Sequence, residues 1–399
     1  MNMTLKTMEN SDIESKGFPK ELLERSIQER IDYFTGQTMA HPHLNKAYQN
    51  IINAVYEAPG TSLIFVVGPT GVGKSKLLCR MEQKVIERNL ADLEIDRGKI
   101  PIFGFESKSP ELSQFDWKDF YIRLLEAINE PLIDKKIVYH DKSVNEHDSK
   151  SRWRKAVESA LNNRRPDAFY IDEAHHLAQL SSGQKLKDQP EVLKSLANLG
   201  KVKIIPTGTY DLLQLTDLGD QLCRRTKIVH FPRYRASEKD EQEKFIKIVQ
   251  ELEIQLPLHQ QPNLTESWQF LYERSLGCVG ILKDWLSETL FSVLTKKKPA
   301  STISLKDLER TARPVNQCRV MLNVILAGEK RFLESVEELN ELRRDLGLLD
   351  LDDESDREST TSKSNLTSES TSQSPSKQKQ PIGQPKAVRY PTGDAECAK

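Results

Sequence analysis

"FVVGPTGVGKSKLL", residues 65–78, meets the pattern G-x-x-x-x-G-K-[ST] in full at Gly68, Gly73, Lys74 and Ser75. The apolar run before it, Leu63 to Val67, suits a buried strand. After it, Leu77 and Leu78, then Met81, Val85 and Ile86, recur at spacings that share one helical face. Strand, glycine loop, helix is the context in which this pattern carries chemistry. Glycine lets the loop, from Gly68 through Pro69, Thr70, Gly71 and Val72 to Gly73, curl until its backbone N–H groups converge on phosphate oxygens. The helix N-terminus adds partial positive charge. Lys74, with Lys76 beside it, is expected to neutralise the terminal phosphates of ATP, and the Ser75 hydroxyl to ligate Mg²⁺.

A second segment completes such a site. "AFYIDEAHHL" (168–177) is an apolar strand that ends in adjacent carboxylates. Asp172 is expected to hold Mg²⁺ and Glu173 to position and polarise the attacking water. Both belong at the C-terminal end of the strand, the sheet edge that faces the loop. His175 and His176 read more readily as structural donors than as catalysts. "IIPTGTYDLLQL" (204–215) ends a further strand with Thr207 and Thr209, where a hydroxyl can sense a γ-phosphate; a Thr-rich turn is the alternative. Arg224 and Arg225 follow a short helix. An Arg supplied across a subunit boundary stabilises phosphoryl-transfer charge, and a surface salt bridge is the plainer reading. Lys283, in "SLGCVGILKDW", is a candidate for a cation reaching the phosphates from a second domain.

The 399 residues suffice for two domains with tails. With 58 basic and 59 acidic residues, no global charge points to nucleic acid, and any such contact must come from a local patch. The five cysteines are scattered without a C-x-x-C pair, which argues against a zinc site and for a reducing compartment. No apolar span is long enough for a membrane, and the N-terminus lacks the apolar core of a signal peptide, so a soluble cytoplasmic protein is expected. Strands are expected at 63–67, 99–107, 168–174 and 202–208, alternating with helices, which implies an α/β fold with a parallel sheet flanked by helices. From about residue 237 the pattern is helical. The expected division is a flexible segment at 1–27, an α/β core at 28–236, a small all-α lid with C-terminal helices at 237–350, and a disordered tail at 351–399. Thirteen of the residues 355–376 are Ser or Thr, a composition that cannot bury enough apolar surface to order itself.

The order of these features is similar to that of AAA+ ATPases. More narrowly, "HPHLNKAYQNI", "GPTGVGKS", "FYIDEAHHL", "PTGTYDLL", "QLCRRTKIVHFPRY" and "GCVGILKDWL" together resemble the TnsC/TniB family of transposition regulators, over roughly residues 28–315. The resemblance implies a homo-oligomer, a hexamer-like ring or helical filament, that binds ATP between protomers on double-stranded target DNA. It implies partners of two kinds, a TniQ/TnsD-type target selector and a DDE transposase of the TnsB type, and disassembly on hydrolysis. It assigns Lys74 and Ser75 to the phosphate loop, Asp172 and Glu173 to the acidic pair, and Arg224 or Arg225 to the finger. One departure stands out. AAA+ proteins commonly place Arg at the second-domain sensor, and this chain has Gly280 and then Lys283.

Residues 134–165 carry nine Lys or Arg against five acids. Such a segment can follow a duplex backbone without reading bases. Lys150, Arg152 and Arg154 are its central candidates and Lys108 is another, with a solvated charged face as the alternative. Three rival readings remain: a replication initiator or secretion ATPase, a helicase suggested by the letters DEAH, and a nucleotide switch. A helicase needs a second alternating α/β unit, which the chain after 237 lacks. A pure switch has no use for Glu173.

Overall fold

Five short strands, β1 Leu63–Val67, β2 Ile102–Glu106, β3 Ala168–Asp172, β4 Lys203–Gly208 and β5 Thr226–His230, form one parallel sheet in the order β2-β3-β4-β1-β5. The computed structural model describes residues 17–109, 115–133, 146–178, 184–218, 220–296, 298–333 and 335–348. The expected tail at 351–399 and residues Lys135, Lys136 and Lys142 of the basic segment lie outside the described residues.

β1 is apolar at every position because both its faces are covered. Leu63, Phe65 and Val67 join one core with Phe169, Ile171, Phe120, Leu161 and Leu196, while Ile64 and Val66 join another with Ile51, Leu77, Met81 and Val85. Complete burial of its five side chains is worth on the order of 10 kcal/mol before the entropy of ordering them. The register is set by pairs such as Leu63 with Ile204 and with Thr226, and Glu106 with Asp172. All five strands run the same way, so Gly68, Glu106, Asp172, Gly208 and His230 gather at one edge.

The four strands expected from sequence are present, and β5 is an addition to them. The helix Pro42–Tyr56 stands ahead of β1 and Trp117–Ala127 follows β2. After β5 the chain is helical, with Lys239–Gln255, Trp268–Ser275, Val279–Leu294, Leu305–Thr311 and Val315–Lys330. Their core, around Phe245, Leu252, Trp285, Leu286 and Leu290, also takes in Ile31 and Phe34 of the first α-helix, Ile27–Gly36. Arg233 fastens the end of this region to the sheet. It is buried and pairs with Glu329 through Nε at 3.0 Å and Nη2 at 3.1 Å.

The chain divides into two units, residues 1–333 and 334–399. In the second, Ser335 caps the helix Val336–Asp345 with a capping box closed by Glu338. Among the described residues, no helix is long and apolar enough to cross a membrane.

Candidate nucleotide site

The loop after β1 has the conformation that its glycines predict. Gly71 and Gly73 have φ of +75° and +110°, and Gly73 caps the helix Lys74–Arg88 from the left-handed region. Gly68 is needed for a different reason: a Cβ there would lie 2.2 Å from the Phe231 carbonyl oxygen. The Phe231 N–H donates to Val67 O at 2.8 Å, so the segment leaving β5 closes directly under the loop.

Lys74 is 8% exposed and donates through Nζ to Gly68 O at 3.1 Å and Pro69 O at 2.9 Å. Burial lowers its pKa, opposed by the charges of Glu173 and Asp172. The Ser75 hydroxyl donates to Asp172 Oδ2 at 3.0 Å, which joins two elements 97 residues apart in sequence. The Glu173 N–H donates to Asp172 Oδ1 at 2.9 Å. Glu173 itself has φ of +49°, a strained conformation for a side-chain-bearing residue, which turns the chain sharply out of β3 into the short 3-10 helix Ala174–Leu177. Its Oε2 lies 2.9 Å from His175 Nδ1, and burial lowers the His175 pKa. The donor set fits a magnesium nucleotide: a hydroxyl and a carboxylate already adjacent, a cation beneath the loop, and a second carboxylate one residue on.

The remaining candidates are dispersed. Thr209 donates to Asp211 Oδ2 at 3.5 Å, whereas Thr207 is fully buried in β4 and its hydroxyl has no partner among the described residues. Gly208 accepts from the Gly68 N–H at 3.3 Å, so the end of β4 touches the start of the loop. Arg224 and Arg225 are exposed at the opposite edge of the sheet: the Arg225 carbonyl accepts from the Ser62 N–H at 2.9 Å, just before β1 begins. Arg225 also donates to Asn198 Oδ1 at 2.9 Å. Within one copy neither reaches the loop.

Lys283 points its amine at two main-chain carbonyls, Thr35 O at 2.9 Å and Gln37 O. It lines a cleft of about 240 Å³ beside the loop, together with Thr38, Met39, His41, Val72 and Val279. Burial, and then the charge of Lys76, lower its pKa to about 8. Sequence reading singles out Val72, Gly73, Lys76 and Lys283 of its lining but not the cleft as a whole, whose walls come from three distant segments.

The basic segment keeps fewer free cations than its composition suggests. Arg154 pairs with Glu158 at 3.0 Å and donates to Ser195 at 2.6 Å. Arg164 donates to the carbonyls of Gly98 and Asn129, and Arg165 pairs with Asp96. Arg152 and Lys155 are exposed on the helix Glu146–Arg164. Lys108 is exposed, beyond the end of β2. The Lys150 side chain lies outside the described set.

Residues 59–216 match the family model of an AAA domain. No curated protein matches the chain. Similar solved structures include a Walker-type ATPase of Pyrococcus abyssi, at 18% identity over 75% of this chain and 75% of that one, with a TM-score of 0.39. The Aeropyrum pernix ORC1 protein in complex with DNA is similar at 14% identity over 75% of this chain and 70% of that one, with a TM-score of 0.47. Drosophila ORC bound to DNA is similar at 11% identity over 78% of this chain and 70% of that one, with a TM-score of 0.44. The fold is that of an AAA+ P-loop ATPase, a five-stranded parallel sheet flanked by helices with a helical C-terminal region.

Proposed function

We propose that this chain is an ATP-dependent regulator of DNA transposition of the TnsC/TniB type. It binds ATP with Mg²⁺ and assembles in several copies on double-stranded target DNA. It links a TniQ/TnsD-type target selector to a DDE transposase, and ATP hydrolysis dismantles the assembly.

The observation that carries the catalytic part is the meeting of Ser75 with Asp172 at 3.0 Å, with Glu173 turned out beside them. The loop binds the phosphates through its N–H groups and Lys74. Glu173 polarises the attacking water, and Thr209 stands where β4 ends against the loop. Mg²⁺, when bound, supplies charge that the phosphate oxygens need, and Ser75 and Asp172 are the residues to hold it. The position of Arg224 and Arg225 supports assembly, because only a neighbouring copy can bring them to this site. Arg152 and Lys155 support contact with a phosphate backbone. The transposition role rests on the joint resemblance of the six motifs.

The test is electron microscopy of the protein with random-sequence duplex DNA, with and without a slowly hydrolysed ATP analogue. Rings or filaments that require nucleotide are the expected result. Absence of assembly in both states would remove the transposition reading and leave an ATPase with other partners.

A further inference from the structure

The geometry around the cleft points to a base-reading residue: we propose that His41 donates its Nε2–H to a ring-nitrogen acceptor of a purine base. The proposal rests on the ATP reading above and adds a specificity-determining side chain to it.

The ring is held in one tautomer by its neighbours. His41 caps the helix Pro42–Tyr56, and its Nδ1 accepts from the Leu44 N–H at 3.4 Å. The Tyr234 hydroxyl lies 3.0 Å from the same nitrogen. The Tyr234 oxygen accepts the His43 N–H at 3.3 Å, which leaves the Tyr234 proton for His41 Nδ1. A nitrogen that accepts from two donors carries no proton, so in the neutral ring the proton is on Nε2. The ring stays neutral because burial drives its pKa down to about 3.

The free donor faces a place where a base would lie. His41 is only 4% exposed, yet it lines the cleft next to Val72 and Gly73 of the phosphate loop. Its Nε2 has no hydrogen-bond partner among the described residues. Behind it the ring stacks on Phe231, with centroids 5.9 Å apart and planes 23° from parallel. Phe231 also supports the loop through Gly68. The donor is thus fixed relative to the phosphate cradle, and one ligand can engage both. Met39, Val72 and Val279 supply apolar walls for a flat ring. A purine presents acceptors at N1, N3 and N7, whereas a ring N–H set against this donor would be rejected.

The experiment measures binding of ATP and of its 1-deaza, 3-deaza and 7-deaza analogues to the full chain. Each analogue replaces one ring nitrogen by C–H. One of the three is expected to bind about tenfold more weakly than ATP, the others within about twofold. In His41→Asn the amide oxygen keeps the cap near the Nδ1 position, and the Nε2 donor is gone. This variant is expected to lose about tenfold for ATP and to treat all four nucleotides alike. His41→Gln, whose amide reaches further, is expected to restore part of the discrimination. Tight ATP binding with no deaza penalty in the wild type would overturn the role of His41 and leave the nucleotide site standing. A deaza penalty that survives in His41→Asn would overturn it as well. No ATP binding at all would remove the site reading, and this proposal with it. If His41→Asn does not fold, His41→Gln carries the comparison, and a deaza penalty in it equal to that of the wild type would overturn the role of His41.

Discussion

Gly71 and Gly280 meet backbone to backbone. A Cβ on Gly280 would stand 2.4 Å from Gly71 O, and one on Gly71 would stand 2.4 Å from Ile281 Cγ1. Between them the Ile281 N–H donates to Gly71 O at 3.1 Å. The start of the helix Val279–Leu294 is therefore seated on the phosphate loop without a side chain in between. This gives a physical reason for the glycine at 280: the space a side chain would take is occupied by the loop itself. Gly280→Ala is expected to push the two apart, at a cost of roughly 1–3 kcal/mol, and to weaken nucleotide binding about tenfold or more. Calorimetric titration with ATP and a thermal melt check both parts. Unchanged affinity would mean that this contact does not shape the loop.

Substitutions at Glu173 and Lys74 are expected to separate binding from turnover. Glu173→Gln keeps the shape of the side chain and removes its charge. Nucleotide affinity is expected to stay within a few-fold of wild type, while turnover falls about a hundredfold or more. Phosphate release under saturating ATP is the measurement. Turnover close to wild type would take Glu173 out of the chemistry. Lys74→Ala is expected to lose binding itself, because the buried amine is the cation beneath the loop.

Much of this site was legible because its parts are local in sequence. A loop flanked by a wholly buried strand, and a carboxylate pair at the end of another, announce themselves in a run of five apolar residues, Leu63 to Val67, and one of four, Ala168 to Ile171. β5 did not, because it is an edge strand. Among the described strands it pairs only with β1, leaves Ile228 exposed, and mixes Lys227 and His230 into its short run. The bounds of the helix Val315–Lys330 are hard to read for a related reason: Val320 and Val324 are exposed, so its apolar residues do not trace one buried stripe. The cleft at His41 depends on residues 35–44, 72–76 and 279–287 coming together, and no local pattern encodes that.

Buried histidines set the response to acid. Burial lowers the pKa of His41 to about 3 and of His230 to about 4, from an ordinary value of 6.5. The unfolded chain therefore binds these protons at a higher pH than the folded one. Stability is expected to fall as pH drops from about 6.5 toward 4, since the unfolded state takes up more protons there. His230 stacks on Phe332 at 4.0 Å and lies 3.0 Å from the Tyr210 hydroxyl, so His230→Phe keeps the stacking surface and gives up that contact. The variant is expected to be less stable at neutral pH, with a pH slope shallower by about one proton. Denaturant unfolding at several pH values measures both, and an unaltered slope would show that His230 titrates alike in the two states.

The two arginines distinguish assembly from a single-copy ATPase. β1 is five residues long, so about 16 Å of strand separates the level of Arg225 from that of the phosphate loop. Arg225 is engaged with Asn198, while Arg224 makes no side-chain hydrogen bond among the described residues. Arg224→Ala is expected to reduce turnover more than Arg225→Ala, and neither to weaken nucleotide binding by more than a few-fold. Mixing the double variant with Glu173→Gln is the sharper measurement. Each is expected to be nearly inactive alone, and in a random mixture about a quarter of the interfaces pair an intact site with an intact arginine. Recovery of activity on mixing is expected, and no recovery would mean that the arginines do not act across copies.

DNA affinity is expected to follow the exposed cations of the helix Glu146–Arg164. Arg152 and Lys155 are exposed, whereas Arg154, Arg164 and Arg165 hold the helix Glu146–Arg164 to its surroundings. Arg152→Glu with Lys155→Glu is expected to weaken ATP-dependent duplex binding uniformly across sequences and to flatten its dependence on log salt by about two units, near one for each lost phosphate contact. Arg154→Glu is expected to act differently, lowering the melting temperature by placing a carboxylate against Glu158. Fluorescence anisotropy over a salt series, beside a thermal melt of each variant, separates the two effects. If the Arg152/Lys155 variant kept the wild-type salt slope, this helix would not be the surface that follows the backbone.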